Sequence, residues 1–560
     1  MSTPKGKTKI MLLAMSSIFF VTYLFLYIGG VPLVGDKALP YLIFNQPDES
    51  INYAFIREYV LEGNRQIQEP LLDLTENQVH PRSTTVVNGA LTPIGFPGVI
   101  ILFGAIVKGL TAISGLEFFN IILLTLTPLC AVIAPWFLYG VIRRIWGEHI
   151  GIMSAILVYI LPGWWYYASR PLQHTILFVT LLLIGSYAAL KMKEAVKETK
   201  QITWGLLAGL GISLALFVRP SEVLWVSAIA LGFLLIHKKD VTKHVIRGGI
   251  LGIILIALLF FFGQLSYYGH VFGTGYAPPT SIGSAGQITE GLFGNDSIIK
   301  SIVLPFGFNA RAIVKHIIEY GPKVFTMWFW VPAIFLGCFL IRWKSLAIAT
   351  YTKEKRYVLM LLGVSLYLMI VYGSWGFTDN LAEVPSIGTS YVRYTLPLYI
   401  LSLPLVASVL YFIWKRIRLG KVLASILLLS LVYTSYMLVF SSFDGLLGVK
   451  QSVSSYYEYQ KDIVTHTEDN AVIVTRYGDK YIYPKRKVIK GFTLDIQRKA
   501  IPILLEKGVP VYLYDLTLSK EHEALLKKDG EEKGYRLQEA ILTLENNLEL
   551  RPFILHSINE

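Results

Sequence analysis

The chain has 560 residues, of which 54% are hydrophobic and 16% are charged. A mean hydropathy of +0.53 is too high for a protein that folds around a single core in water. The net charge of +13 suggests nucleic-acid binding, but the basic residues fall mainly in alternate loops between apolar segments, which is the positive-inside pattern. Composition therefore predicts a polytopic α-helical membrane protein without a nucleic-acid partner.

About eleven apolar segments are long enough to cross a bilayer, which takes about 20 residues in a helix. They are 10–31, 118–142, 149–168, 173–190, 203–218, 221–237, 246–265, 324–341, 357–373, 394–414 and 421–442. Lys5, Lys7 and Lys9 precede the first segment and predict a cytoplasmic N-terminus. The chain is expected in the cytoplasmic or inner membrane.

One further apolar stretch, Pro93 to Ser114, is also long enough to cross. Counting it as a span would move Arg143, Arg144 and every later basic loop to the outside, against the charge rule. Prolines and glycines interrupt its start. We therefore favour a helix that lies at the outer interface or re-enters the membrane over a true span.

This topology divides the chain into a membrane domain, 1–444, and a soluble extracytoplasmic α/β domain, 445–560. Two long loops of the membrane domain face outward, 35–117 and 264–322, and the glycine-rich second loop is interpreted as a substrate flap. In the tail, 471–474 and 509–514 have the pattern of buried strands, while 496–507 and 520–528 have that of amphipathic helices.

Asp48 and Glu49 stand at the start of a helical pattern in the first outer loop. An acid in this place is often an N-cap, which satisfies backbone N–H groups. The alternative is catalytic, because a partly desolvated carboxylate is a stronger base and can accept a proton from a hydroxyl. The adjacent second acid favours the catalytic interpretation.

Four arginines fall on the outer side against the charge rule: Arg82, Arg170, Arg219 and Arg393. A guanidinium group holds phosphate oxygens in pairs, so a lipid-linked phosphate would explain them. The alternative is that each extends to the interface or pairs with Asp379, Glu383 or Glu222.

His80 and His174 also face outward in this topology. A lone histidine is usually a hydrogen-bonding surface group. Imidazoles together with Asp48 and Glu49 could also bind a divalent metal, so the metal requirement stays unknown.

The segment Asn45-Gln46-Pro47-Asp48-Glu49, followed by Tyr53 and Ala54, resembles the first outer-loop motif of polyprenyl-phosphate-dependent membrane glycosyltransferases of the GT-C class. This group contains protein O-mannosyltransferases and the lipid A aminoarabinose transferase. The resemblance continues in Pro93 to Gly115, in 143–147 and in Arg393-Tyr394-Thr395-Leu396-Pro397. It covers about residues 10 to 415.

The resemblance implies transfer of a sugar from a polyprenyl-phosphate donor to a glycan, lipid or protein acceptor, with Asp48 as general base and Glu49 in support. The outward arginines would hold the donor phosphate, and His80, His174, Tyr53 and Tyr394 would line the substrate pocket. Several relatives carry an acid in the second outer loop where this chain has Gln173 and His174. That departure leaves metal dependence and acceptor type open.

A transporter or flippase of a lipid-linked or anionic solute is the competing class. Such proteins usually bury ionisable groups at the bilayer midplane and show paired half-symmetry. Here the ionisable groups of the apolar segments gather toward one face, which favours an enzyme.

Overall fold

The computed structural model describes residues 6–28, 39–271, 275, 303–341, 352–376, 384–544 and 547–556. The chain forms two compact units. The first, here called the helical unit, comprises Met1–Gly29, Ile121–Phe260 and Ser284–Val449. The second, here called the mixed unit, comprises Gly30–Asn120, Phe261–Gly283 and Lys450–Glu560.

The helical unit holds most of the long apolar helices. They are Gly6–Ile28, Phe119–Trp146, Glu148–Ile160, Pro162–Ala168, His174–Met192, Glu198–Val218, Val223–Ile236, Lys243–Tyr268, Ala310–Ile318, Thr326–Ile341, Thr352–Gly373, Ser390–Arg416 and Gly420–Tyr436. Two π-helical segments, Glu319–Val324 and Met437–Ser441, extend this set. Phe119–Trp146 begins, and Lys243–Tyr268 ends, in residues of the mixed unit.

Within the described ranges, eight helices are long and apolar enough to cross a membrane, or ten if each of two bent pairs forms one span. The predicted span 221–237 corresponds to Pro220–Ile236, one of the shorter apolar helices. At about 1.5 Å per residue its 17 residues reach only about 25 Å, less than a hydrocarbon core of about 30 Å. The fold class, a multi-pass helical membrane protein, is confirmed, with fewer full-length spans than expected.

The bent pairs break where the backbone cannot continue a helix. Leu161, which precedes Pro162, is extended at ψ 122°, and the helices on either side are bent by 56°. The residue before proline avoids helical geometry because the proline ring clashes with it. The second pair, 310–324 and 326–341, is bent by 106°.

Helices His174–Met192 and Glu198–Val218 pack closely through glycine. A side-chain carbon added at Gly211 would lie 2.7 Å from the Gly185 Cα, and one added at Gly185 would lie 2.8 Å from the Ile212 backbone nitrogen. Small residues allow helix backbones to approach in this way. The close packing brings the end of one helix beside the start of the other, where two predicted site residues lie.

The mixed unit combines helices with two sheets. Its helices are Pro47–Leu61, Gly98–Ser114, Leu446–Thr465, Asp479–Ile482, Asp495–Glu506 and Lys520–Lys533. Its strands are β1 Ile67–Gln68, β2 Thr84–Val87, β3 Ala90–Pro93, β4 Val472–Thr475, β5 Lys487–Lys490, β6 Val511–Leu516, β7 Tyr535–Leu537, β8 Leu542–Leu544 and β9 Leu548–Leu555. The first sheet has the order β1-β3-β2 and the second β5-β4-β6-β9-β7, with β8 also paired to β9.

In the second sheet β4 is parallel to β5 and β6, whereas β9 is antiparallel to β6. The expected tail strands correspond to β4 and β6, and the expected helices to Asp495–Glu506 and Lys520–Lys533. These secondary-structure predictions are confirmed.

Residues from the first outer loop complete both faces of this sheet. Val79 belongs to the cluster around Val472 and Val474, whereas Ile43 belongs to the cluster around Ile473. Successive side chains of a strand point to opposite faces, so the two clusters lie on the two sides of β4. The compact unit therefore joins the first outer loop with the tail, whereas the sequence-based division placed a domain boundary at 444.

The helical part of the Pro93–Ser114 stretch begins after Pro97 and runs as Gly98–Ser114, because β3 takes the residues up to Pro93. Its predicted interfacial or re-entrant position stays a prediction. Much of the predicted flap, 272–274 and 276–302, lies outside the described residues, as do Asp379 and Glu383.

Candidate active site

Three of the four predicted phosphate-binding arginines belong to the helical unit, and all three are buried. Arg170 follows the helix Pro162–Ala168, Arg219 ends Glu198–Val218, and Arg393 lies in the first turn of Ser390–Arg416. Their exposed fractions are 0%, 0% and 5%. Charged side chains are almost never buried to this degree without a compensating group, so a site is indicated.

Tyr394 contacts two of these arginines. The guanidinium carbons of Arg219 and Arg393 lie 4.8 and 5.3 Å from the centroid of its ring, and the His174 ring lies 6.4 Å away. The ring of Tyr372 stacks on it at 4.5 Å and 6°. An aromatic face attracts cations, so the ring holds two guanidinium groups close together in a buried place.

Arg219 forms an ion pair with Glu222, as the pairing alternative predicted. Both oxygens of Glu222 also accept other bonds, from the Tyr372 hydroxyl at 2.8 Å and from the Trp225 indole N–H. Within the described part of the chain, the Arg219 Nε and Nη1 atoms are buried and have no hydrogen-bond partner. Arg219 therefore keeps donors that an anion could occupy.

Neutral groups orient the other two arginines. Arg393 donates from Nη1 to the Gln173 Oε1 at 2.7 Å and from Nη2 to the Ser390 hydroxyl at 2.8 Å. Arg170 donates from Nη1 to the Tyr166 hydroxyl at 2.9 Å. These bonds fix the guanidinium planes, and the Asp444 carboxylate lies close enough to Arg170 to interact with its charge.

Sequence reasoning missed several supporting residues. Tyr166 donates to the Asp444 backbone oxygen at 3.0 Å, and the Asp444 carboxylate accepts from Ser386 at 2.6 Å and from the Gly388 N–H at 3.0 Å. A single acid after a long apolar helix gave no signal of this network. Gln173 was noticed only as a departure from an acidic motif, and its part in orienting Arg393 was not foreseen.

Asp48 and Glu49 belong to the mixed unit, in the first turn of Pro47–Leu61. The N-cap residue is Gln46, so the alternative in which Asp48 is the N-cap is wrong. Glu49 is fully buried, and its Oε2 accepts the Gln46 N–H at 3.1 Å. Asp48 is half-buried, and its Oδ1 accepts a hydrogen bond from the Ser83 hydroxyl at 2.7 Å. Glu49 stabilises the helix start, while Asp48 is held by a hydroxyl.

The other predicted site residues of the mixed unit have structural contacts. Tyr53 is fully buried and donates to Asn120 Oδ1 at 2.9 Å. His80 is buried with its Nδ1 at 3.0 Å from both the Pro81 oxygen and the Thr84 hydroxyl. Burial and the charge of Lys490 lower the pKa of His80 to about 4. Arg82 is bound to Asp479.

Tyr53, His80 and Arg82 are therefore engaged within the fold. His80 is buried rather than at the surface, and the acid that pairs with Arg82 is Asp479, which is not one of the three acids considered from the sequence. Their assignment to the substrate pocket or to phosphate binding stays a prediction. Among the residues that the structure describes, no three His, Cys, Asp or Glu side chains converge as metal ligands.

The fold is similar to that of membrane glycosyltransferases of the GT-C class. Residues 99–267 match the family model described as dolichyl-phosphate-mannose-protein mannosyltransferase. The sequence matches none of the curated proteins with which it was compared.

Solved structures share the fold over almost the whole chain. The oligosaccharyltransferase AglB from Archaeoglobus fulgidus, in complex with an inhibitory peptide and a dolichol-phosphate, has a TM-score of 0.58 at 13% identity, covering 95% of this chain and 73% of that one. The same enzyme in complex with Zn and sulfate has a TM-score of 0.55 at 13% identity, covering 96% and 72%. ArnT from Cupriavidus metallidurans bound to undecaprenyl phosphate has a TM-score of 0.51 at 10% identity, covering 98% of both chains. The predicted resemblance to this class is confirmed.

Proposed function

We propose that this protein transfers a sugar from a polyprenyl-phosphate donor to a glycan, lipid or protein acceptor on the extracytoplasmic side of the membrane. The observation that carries the proposal is the pair of buried arginines, Arg219 and Arg393, beside the ring of Tyr394. The family match over residues 99–267 and the shared fold support glycosyl transfer in general.

In this proposal Arg170, Arg219 and Arg393 hold the donor phosphate. Buried guanidinium groups suit this role because a phosphate that leaves gains negative charge, and fixed positive groups stabilise it most strongly where water is excluded. The comparison structures of AglB and ArnT contain a dolichol-phosphate and an undecaprenyl phosphate. His174 and Tyr394 would then contact the donor head group.

Arg82 is left out of this donor site. Its guanidinium group forms an ion pair with Asp479 at 2.6 Å, and the partner carboxylate is 1% exposed. The Arg82 Nε and Nη2 atoms are bound to Asp479 and to the Tyr477 oxygen, whereas the Arg219 Nε and Nη1 atoms have no hydrogen-bond partner among the described residues and can receive a phosphate.

Asp48 is the proposed general base. The acceptor hydroxyl oxygen attacks the anomeric carbon, the bond from that carbon to the phosphate oxygen breaks, and its electron pair stays on the leaving phosphate. The hydroxyl proton passes to Asp48. The Ser83 hydroxyl supports this role because its bond to Oδ1 orients the carboxylate.

The test is an assay of the purified protein in lipid with a panel of polyprenyl-phosphate sugars and acceptors, reading free polyprenyl phosphate. We expect Asp48→Asn to lower turnover at least about 100-fold, because general-base catalysis contributes about 10²–10⁴-fold. Asp73→Asn is the matched control, since Asp73 is an exposed acid of the same outer loop.

Full turnover in the Asp48 variant would remove the proposed base. Movement of the lipid-linked sugar between leaflets, with no release of polyprenyl phosphate from any donor, would instead establish the flippase alternative.

A further inference from the structure

Asp479, in the C-terminal part of the mixed unit, holds the segment that carries Ser83. Its Oδ2 accepts the Arg82 backbone N–H at 2.8 Å, and its Oδ1 accepts the Arg82 Nε at 2.8 Å. The Arg82 Nη2 also donates to the Tyr477 oxygen at 3.0 Å. Asp479 is 1% exposed and begins the short helix Asp479–Ile482 that follows β4, so these bonds tie Arg82 to a buried part of the mixed unit.

Ser83 has an unusual backbone conformation. Its φ is +61°, in the left-handed region that residues other than glycine rarely adopt. The Arg82 bonds fix the chain on one side, and the bond from the Ile94 N–H to the Ser83 oxygen, at 2.9 Å, fixes it on the other. In this conformation the Ser83 hydroxyl donates to Asp48 Oδ1 at 2.7 Å.

Lys480, the next residue after Asp479, attaches to the helix that carries Asp48. Its Nζ donates to the Asn45 oxygen at 2.9 Å, just before the N-cap. Its backbone oxygen accepts the Ser50 hydroxyl at 3.0 Å, in the first turn. The adjacent residues Asp479 and Lys480 therefore hold both partners of the bond between Ser83 and Asp48.

We propose that Asp479 is a positioning residue for the reaction, which fixes Asp48 through Arg82 and Ser83. The inference rests on the proposed role of Asp48 as base, and it assigns a catalytic-support role to the C-terminal domain.

The chain offers a matched control for this ion pair. Arg476 binds Asp515 in two bonds of 2.7 and 2.9 Å, and the side-chain exposures, 26% and 4%, resemble the 30% and 1% of Arg82 and Asp479. Asp515 lies in β6, which pairs with β4. Its partner Arg476 directly follows the end of β4, so this ion pair does not involve the segment that carries Ser83. Replacing Asp515 therefore measures the cost of losing a similar ion pair.

The first measurement is hydrogen exchange of the full-length protein in lipid. We expect Asp479→Ala to accelerate exchange of the Arg82 amide at least about tenfold, because that amide loses its acceptor. Asp515→Ala should leave it unchanged. Equal exchange of the Arg82 amide in both variants would overturn the inference without reference to activity.

The second measurement is turnover with saturating acceptor. We expect Asp479→Ala to lower kcat about 10- to 100-fold with the KM for the lipid donor within about twofold, because misplacing a catalytic group by about 1 Å has effects of this size. The kcat of Asp479→Asn, which keeps the side-chain size, should lie between the kcat of Asp479→Ala and that of the wild type. A kcat in Asp479→Ala equal to that in Asp515→Ala would overturn the inference.

Ser83→Gly completes a double-mutant cycle, since glycine removes the hydroxyl and adopts φ +61° readily. If Asp479 acts through Ser83, the double variant should be no slower than the slower single variant. A double variant whose kcat is reduced by the product of the two single reductions would overturn the proposal. An Asp48→Asn protein with full turnover would remove the proposed base together with the positioning role that rests on it, whereas an inactive Asp48→Asn together with multiplying losses would remove only the positioning role.

Discussion

Arg219 shows how a buried cation is kept available for binding. Its ion pair with Glu222 offsets part of the cost of burial, since an isolated charge in a protein interior costs several kcal/mol. Tyr372 and Trp225 also bind the Glu222 oxygens, so the carboxylate is shared among three groups. Among the described residues the Arg219 Nε and Nη1 atoms have no hydrogen-bond partner, so these donors can still bind an anion.

Two roles are open to Glu49: it caps the helix Pro47–Leu61, or it takes part in catalysis. If it caps, Glu49→Gln should keep turnover within about twofold, because an amide oxygen can still accept the Gln46 N–H. Glu49→Ala should lower the free energy of unfolding by about 1 kcal/mol, the usual cost of a lost cap.

Thermal unfolding and turnover of both Glu49 variants provide the check. A Glu49→Gln protein that melts like the wild type but has lost turnover would show that the charge itself is needed, as the resemblance implies.

At the scale of elements, the segment around His80 docks onto the tail sheet, where Val79 and His80 both bridge to Ile489 of β5. His80 is neutral when folded, because burial and Lys490 lower its pKa to about 4 from 6.5. The unfolded chain therefore binds more protons between these values, and the folded state is destabilised as pH falls from 6.5 to 4.

Between pH 7 and pH 4.5 we expect the free energy of unfolding to fall by about 2–3 kcal/mol more in the wild type than in a His80→Gln variant, since each pKa unit corresponds to about 1.4 kcal/mol. Thermal unfolding of both proteins at the two pH values measures the difference. Identical pH dependence in the two proteins would mean that folding does not lower the pKa of His80.

Local patterns predicted many of these elements. The strands and helices of the tail follow from alternating and helical periodicity, and the pair of Arg219 and Glu222 lies three positions apart in sequence. The bonds between Arg82 and Asp479 join residues 397 positions apart, and no local pattern encodes them. For the same reason, sequence reasoning placed a domain boundary at 444 and did not join the first outer loop to the tail sheet.

At the scale of the whole molecule, the chain separates two physical tasks. The helical unit is rich in apolar helices with glycine contacts and buries Arg170, Arg219 and Arg393, whereas the mixed unit builds sheets around the segment that holds Asp48. The proposed mechanism assigns donor binding to the first unit and proton removal to the second. Substitutions of the buried arginines in the helical unit should therefore lower donor affinity. Substitutions around Asp48 in the mixed unit should instead lower turnover.

The most direct test of the central claim is a binding titration of the purified protein with undecaprenyl phosphate and dolichyl phosphate. We predict that Arg393→Gln weakens binding about 10- to 100-fold, because a hydrogen bond to a charged group contributes about 1.5–3 kcal/mol. Arg418→Ala, at an exposed arginine, should bind like the wild type. Equal affinity of all three proteins for both lipids would contradict the account.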